Sequence, residues 1–179
     1  MATRVLTDLG ILTVEQQKPT NEQLATTAST PAKTWADVFL SYQSAYMEQV
    51  DRIRSELIAN DVSCWMAKYD MEGDVWEAMA SGIENAKVVL ICYSQSYKRS
   101  PYCRSEAEYS RWKGKIMIPI KMQKNYDADG WLGIMTITEL NYDLSNPDQF
   151  DKTFPEILKR IRGCDEKEGY RIKKYQLFH

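Results

Sequence analysis

Histidine is almost missing from this sequence of 179 residues. Its one histidine, His179, is the last residue, where an imidazole is hard to hold in a fixed position. Hydrolases that use a Ser-His-Asp or Cys-His arrangement need that imidazole inside the fold. We therefore expect any chemistry to use carboxylates, hydroxyls, aromatic rings and backbone groups.

Cysteine and long apolar runs are scarce as well. The four cysteines show no C-x-x-C spacing and have no histidine beside them, which argues against a zinc site. Most lie in apolar segments, where a reduced thiol behaves as a small hydrophobic group. The longest fully apolar run, at 88–92, is far shorter than the roughly 20 residues that span a bilayer. We expect a cytoplasmic protein that binds no metal and no membrane.

An excess of positive charge is also absent. The sequence has 23 Lys and Arg against 25 Asp and Glu, a formal net charge of −2. Proteins dedicated to nucleic acids usually carry a strong basic excess, so that class is disfavoured. Hydrophobic residues make up 44% of the chain, which is enough for the core of one ordinary domain.

Composition divides the chain into three parts. Residues 1–34 are rich in Thr, Gln and Ala and can bury little apolar surface, which is typical of a flexible leader. Residues 35–162 carry the periodic apolar patterns of a folded domain. Residues 163–179 are charged and aromatic, and we interpret them as a C-terminal tail.

Strand-like and helix-like patterns alternate within the central part. Short apolar runs predict strands at 37–42, 62–66, 87–93 and 115–120, and a short fifth strand near 139–142. Helical spacing predicts helices at 46–58, 76–83 and 101–113, and a last helix that ends near Gly163. Ser100 and Pro101 are a typical helix start, and Gly114 is a typical stop. Such alternation predicts a parallel sheet with helices on both faces.

In a sheet of this kind, ligands bind beyond the carboxyl ends of the strands. The G-x-G-x-x-G motif of dinucleotide-binding folds and the P-loop motif are both missing. The third strand ends in Tyr93 and Ser94, without the Asp that a phosphoacceptor domain would place there. A flavin carrier would make the purified protein yellow.

A carboxylate remains as the candidate chemical group. Glu106 borders the predicted buried stripe of the helix after the third strand, and Tyr102 lies one turn before it. From the residues alone, Glu106 fits either a solvated helix charge or the centre of a site.

Four segments, in order, resemble the Toll/interleukin-1 receptor (TIR) domain family. They are DVFLSY at 37–42, MEGDVWEAMASGIENAKVVLICYS at 71–94, SPYCRSEAEY at 100–109 and KIMIPI at 115–120. The likeness spans about residues 35–162. It implies a flavodoxin-like sheet of five parallel strands in the order 2-1-3-4-5, with helices on both faces.

The family contains enzymes that cleave the nicotinamide–ribose bond of NAD, and adaptors that only assemble signalling complexes. The resemblance to the enzymes implies that Glu106 is catalytic and that Tyr102, four residues before it, contacts the substrate. Tyr42 and Trp76 are further aromatic candidates, either for stacking on the substrate or for packing in the fold. Gln43 is a candidate substrate contact at a position where many enzymes of the family carry arginine. NAD would be the substrate, with no further cofactor, and the product linear or cyclic ADP-ribose. The activity would serve immune or cell-death signalling. The alternative is a non-catalytic adaptor.

The resemblance also implies a surface for assembly. The loop of residues 68–75, which begins at Lys68 and ends at Val75, is similar to the family's BB loop. It implies self-association or contact with other TIR proteins, and it could equally gate the NAD cleft. From the residues alone it could also be a solvated connector in which Gly73 supplies the turn.

One glutamate is sufficient for the implied chemistry. Nicotinamide leaves as a neutral molecule, so no general acid has to protonate it. The transition state resembles an oxocarbenium ion, which a nearby carboxylate stabilises as in glycoside hydrolysis. Aromatic rings around Glu106 would raise its pKa by desolvation, yet it has to be ionised to act.

Overall fold

The computed structural model describes residues 36–137 and 139–176. The strands are β1 (Val38–Tyr42), β2 (Cys64–Trp65), β3 (Val88–Tyr93), β4 (Ile116–Lys121) and β5 (Tyr142–Asp143). The helices are α1 (Met47–Ala59), α2 (Ala67–Asp70), α3 (Val75–Asn85), α4 (Gln95–Arg99), α5 (Pro101–Trp112), α6 (Gly130–Ile137) and α7 (Phe150–Gln176). Two short 3-10 turns, Ser44–Tyr46 and Pro147–Gln149, precede α1 and α7.

The five strands form one parallel sheet in the order β2-β1-β3-β4-β5, which confirms the predicted topology. β3 is buried along its whole length, as its branched apolar residues predict for a central strand. The two edge strands are only two residues long each.

Two hydrophobic layers cover the two faces of the sheet, because side chains alternate along each strand. Val38 and Leu40 of β1 pack with α1 and α7 in one cluster. Phe39, between them, belongs to the other cluster, together with residues of α3, α4, α5 and α6. Ser41 is next in the alternation and faces the same side as Phe39, toward α5.

The start and end of α5 follow the sequence signals. The Ser100 hydroxyl accepts a hydrogen bond from the Cys103 N–H across 3.3 Å, and Pro101 occupies the first helical turn. Gly114 follows the helix with φ +66°, a conformation that glycine adopts without strain. These signals fix the position of Glu106 relative to the sheet.

Several elements differ from the sequence-based expectation. The stretch after β4, for which the sequence predicts no helix, contains α6, and α2 and α4 are short additional helices. The last helix does not end near Gly163 but continues to Gln176, because a single glycine only weakens a helix. The proposed leader at 1–34 lies outside the described residues. Among those that are described, no helix is long and apolar enough to cross a bilayer.

Candidate functional site

Helix α5 turns Glu106 toward the interior. The helix buries Cys103, Glu106, Ala107 and Ser110 against the sheet, and only 9% of Glu106 is exposed. Glu108, two residues further on, is exposed and pairs with Arg104 one turn before it at 2.8 Å. Of the two carboxylates of α5, Glu106 is therefore the buried one.

A hydrogen-bond chain connects Glu106 to β1 and α4. Ser41 Oγ donates to Glu106 Oε2 across 2.5 Å, and Ser41 Oγ lies 2.7 Å from the hydroxyl of Tyr97. The Tyr97 hydroxyl also lies 3.2 Å from the backbone oxygen of Cys103. Ser41 and Tyr97 are fully buried, so the chain is shielded from solvent.

Burial controls the acidity of Glu106. Desolvation raises its pKa to about 7, and the hydrogen bond from Ser41 opposes that rise. A carboxyl group that titrates near neutral pH inside a cleft is typical of functional sites, although structural networks also produce such values.

A cavity of about 300 Å³ lies between α3 and α5 and reaches Glu106. Its lining is mainly apolar, with Glu106 as one of few polar groups. The lining residues are Trp76, Glu77, Met79, Ala80, Ile83, Ser105, Glu106 and Tyr109. The buried carboxylate of Glu106 therefore lies at the wall of a partly open, mainly apolar cavity.

The start of α3 fixes the aromatic wall of this cavity. Asp74 caps the helix, its Oδ1 accepting from the N–H groups of Trp76 and Glu77 at 2.9 and 3.1 Å. The Trp76 ring then stacks on Tyr102 of α5, with ring centroids 5.4 Å apart. Both rings are 56% exposed. The structure thus brings three of the predicted site residues, Glu106, Trp76 and Tyr102, to one region.

Tyr42 lies apart from them. Its side chain packs against the hydrophobic cluster on the α1 and α7 face, because it follows Ser41 in the alternation of β1. The backbone N–H of Lys68 donates to its phenol oxygen, so Tyr42 contacts the beginning of the loop at 68–75. Burial, the largest influence, raises the pKa of Tyr42.

Gln43 is also separate from the cavity at Glu106. Its Oε1 accepts from the Ala45 N–H at 2.7 Å and caps the 3-10 turn that precedes α1. It lines a wide, open cavity of about 780 Å³ beyond the ends of β1, β3 and β4, together with Ser96, Arg99 and Gln123. Of the predicted substrate contacts, Trp76 and Gln43 thus line two different cavities, and Tyr42 and Tyr102 line neither of them.

The segment at 68–75, predicted as one loop, is a loop only at 71–74, because 68–70 belong to α2 and α3 begins at Val75. It is anchored at its beginning and exposed at its end. Lys68 pairs with Asp51 of α1 at 2.5 Å, and the ring of Tyr69 lies against the cationic groups of Arg54 and Lys68. From Glu72 to Val75 the residues are exposed, and Gly73 has φ +73°. The loop therefore presents a surface while its base stays on the domain.

Ser41 and Tyr97 are the site residues that the sequence analysis missed. Ser41 was part of the apolar run DVFLSY, where its small hydroxyl side chain was available as a signal that this position faces a polar partner. Tyr97 lies in a helix of five residues that periodicity does not reveal. The D-x-x-E pattern of Asp74 and Glu77 was a further signal, typical of a capped helix start.

Comparisons with known proteins agree with this architecture. A sequence model of the TIR domain matches residues 38–158. The TIR domain of the Toll-related receptor TRR-2 from Hydra magnipapillata is similar in structure, with a TM-score of 0.59 and 16% identity, over 71% of this chain and 98% of that one.

The TIR domains of the activated Roq1 resistosome, which directly recognises the pathogen effector XopQ, are similar with a TM-score of 0.53 and 19% identity. That alignment covers 70% of this chain and 99% of the other. No curated protein sequence matches this one. Since the TIR model covers most of the chain, the protein belongs to the TIR domain family.

Proposed function

We propose that the protein is an NAD glycohydrolase in which Glu106 is the catalytic residue. The observation that supports this most is the position of the Glu106 carboxyl group, buried on α5 yet lining a cavity walled by Trp76. A surface charge on a helix would have no reason to be placed there, and Glu108 shows the ordinary arrangement.

The reaction breaks the bond between the ribose carbon and the nicotinamide nitrogen. The bonding electron pair leaves with nicotinamide, which departs neutral, and the ribose acquires oxocarbenium character. Water then attacks that carbon and releases one proton to the solvent to give ADP-ribose, or a nitrogen of the adenine attacks it to give a cyclic isomer. No group of the protein has to donate a proton to the leaving nicotinamide.

Glu106 contributes charge and position. Its ionised carboxylate, held at Oε2 by Ser41, stabilises the developing cation in a site with few other polar groups. Trp76 and Tyr102 offer aromatic faces for stacking on nicotinamide or adenine. We propose Tyr42 and Gln43 as contacts to the remaining part of NAD, beyond the ends of the strands.

The test is nicotinamide release from NAD by concentrated or clustered protein, with chromatographic identification of the products. We expect Glu106→Gln to lower the rate by about 10²- to 10³-fold. Glu108→Gln is the matched control, because it removes a carboxylate of the same helix that faces solvent. No release by clustered wild-type protein, or equal loss in the two variants, would contradict the proposal.

A second candidate is a non-catalytic adaptor that assembles through the loop at 68–75. It is supported by the exposed end of that loop, with Val75 41% and Trp76 56% exposed at the start of α3. The Roq1 neighbour is described as an activated resistosome, which favours assembly as a property to test here. Association without NAD turnover would identify this role, and contact with itself or with other TIR domains would both fit it.

We also propose a cytoplasmic location and a role in immune or cell-death signalling. The cysteines of the described residues form no disulfide, and three of the four are buried, which suits a reducing compartment. Fractionation of cells that express the protein would test the location.

A further inference from the structure

The carboxyl group of Glu106 depends on one direct contact. Ser41 Oγ, at 2.5 Å from Oε2, is its hydrogen-bond partner among the described residues. No Lys or Arg of the described chain favours its ionised form, and burial opposes that form. The single hydroxyl of Ser41 therefore has to hold the carboxylate in place.

A hydroxyl group has one proton to donate, so the partner of Ser41 decides where that proton goes. The Tyr97 hydroxyl lies 2.7 Å from Ser41 Oγ. When Tyr97 donates to Ser41, the Ser41 proton is directed to Glu106 Oε2. When Ser41 donates to Tyr97 instead, the Tyr97 hydroxyl donates its hydrogen bond to the backbone oxygen of Cys103 at 3.2 Å. Ser41 Oγ can then accept a hydrogen bond from a protonated Glu106. Both directions satisfy every hydroxyl of the chain.

We propose that Ser41 and Tyr97 are positioning residues that orient Glu106 and stabilise its ionised form through this two-way hydrogen-bond chain. Ser41 acts directly on the carboxylate, and Tyr97 acts through Ser41. The chain also accepts the protonated form without leaving a buried hydroxyl unpaired. The role of these two residues in NAD cleavage rests on the proposed function, whereas their effect on Glu106 does not.

The other titratable groups near Glu106 do not replace this contact. Tyr42 of β1, Tyr97 of α4 and Cys103 of α5 lie close enough to interact electrostatically with its charge, and Glu77 of α3 lines the same cavity. None of these groups can carry a positive charge. None of them stabilises a second negative charge by its own charge, so the hydroxyl chain is the stabilising element.

The experiment measures the pKa of Glu106 by carbon NMR of its carboxyl group, without NAD, with Glu106→Gln used to assign the signal. We expect Ser41→Ala to raise that pKa by about 1, because a charge-assisted hydrogen bond is lost. Tyr97→Phe should raise it by less, since the phenol acts only through Ser41. Tyr97→Phe keeps the buried ring, so it tests the proposal even if Ser41→Ala does not fold.

The pH profile of nicotinamide release gives a second readout. If the pKa rises by about 1, Ser41→Ala loses about tenfold of the rate near pH 6 and little near pH 9. A purely structural role would lower the rate by the same factor at both pH values.

The outcomes separate the two proposals. An unchanged or lower Glu106 pKa in Ser41→Ala overturns the role of Ser41, and an unchanged pKa in Tyr97→Phe overturns the role of Tyr97. A raised pKa in protein that releases no nicotinamide upholds the hydrogen-bond chain and rejects the glycohydrolase. If the protein releases nicotinamide and the Glu106 pKa is unchanged in the variants, the glycohydrolase is upheld and the hydrogen-bond chain is rejected.

Discussion

Trp76 and Tyr102 stack on each other across the gap between α3 and α5, with ring centroids 5.4 Å apart and planes 28° from parallel. Each ring is 56% exposed, so the pair leaves aromatic surface available to a ligand. Trp76 also lines the cavity that reaches Glu106. The stack therefore joins the buried carboxylate to a surface on which a planar base can rest.

The first prediction concerns this aromatic surface. We expect Trp76→Ala to raise the KM for NAD by roughly tenfold, since stacking of a base on an aromatic ring is worth about 1–3 kcal/mol. The ring is half-exposed, so the free energy of unfolding should change by less than about 1 kcal/mol. Steady-state kinetics and denaturant unfolding measure the two quantities. Trp112→Ala, which removes a 75% exposed ring that does not line the cavity, should leave KM unchanged.

The second prediction is a pH dependence of stability. Glu106 has a pKa of about 7 in the folded protein, above its ordinary value of 4.5, so the folded state binds more protons between these values. The carboxyl group makes its full contribution to the free energy of unfolding below about pH 4.5. That contribution is lost as the pH rises to about 7. Glu106→Gln should therefore equal wild type near pH 4 and be more stable at pH 8, by at most about 3 kcal/mol.

Denaturant unfolding at the two pH values measures that difference. Glu108→Gln is the control and should change stability by less than about 1 kcal/mol at either pH, because its carboxylate is exposed. A Glu106→Gln variant that is less stable than wild type at pH 8 would refute the raised pKa.

The third prediction concerns the cap of α3. Asp74→Ala removes the acceptor for the N–H groups of Trp76 and Glu77, so we expect a loss of about 1 kcal/mol in the free energy of unfolding. Nicotinamide release should fall as well, because the first turn of α3 carries Trp76. Glu72→Ala, at an exposed position just before the cap, should change neither. Equal stability of the two variants would show that the cap is unimportant.

The fourth prediction concerns assembly. Gly73 and Gly114 have φ values of +73° and +66°, and a Cβ atom at either would meet nothing within 4 Å. Alanine at each should cost about 1 kcal/mol of backbone strain. Only Gly73→Ala alters the loop at 68–75, so only it should weaken self-association in sedimentation velocity. Equal association of both variants and wild type would exclude this loop as the contact.

The fifth prediction concerns the packing of α3 on the sheet. A Cβ atom at Gly82 would lie 2.9 Å from Phe39 and 2.9 Å from Trp65, whose rings stack with centroids 4.7 Å apart. Gly82→Ala should therefore lower the free energy of unfolding by about 1–3 kcal/mol. Gly163→Ala, inside α7 and with nothing within 4 Å, should raise it by about 0.5–1 kcal/mol. Thermal unfolding of both variants shows whether the stability falls in Gly82→Ala and rises in Gly163→Ala.

The sheet was predictable because its strands carry strong local patterns. The buried run of β3 and the signals at Ser100 and Gly114 placed the centre of the sheet and α5 correctly. The helix α6 was missed because its first residues follow a polar stretch and include two glycines, Gly130 and Gly133. Local sequence patterns therefore predicted β3 and α5, whose signals are strong. They did not predict α6, whose local signals are weak.

The site was only partly predictable from the sequence. The spacing on α5 placed Glu106 only at the border of the buried stripe, and the family resemblance implied its role. Its contact with Ser41 joins residues far apart in the chain, and no local pattern reports such a pair. The alternation of β1 could have placed Ser41 and Tyr42 on opposite faces. Tyr42 does not lie beside Glu106, since its ring packs toward α1 and α7. Its contact with NAD stays a prediction.

The brevity of β2 and β5 limits how copies of this domain can join. A strand-addition partner needs a row of unpaired backbone groups as a template, and two residues supply almost none. β5 pairs only with Ile120 and Lys121 of β4, and the unpaired part of that edge of β4 contains Pro119, which has no N–H to donate. Any polymer built from this domain should therefore form through side chains of loops and helices, and the native fold should resist growth into continuous intermolecular sheets.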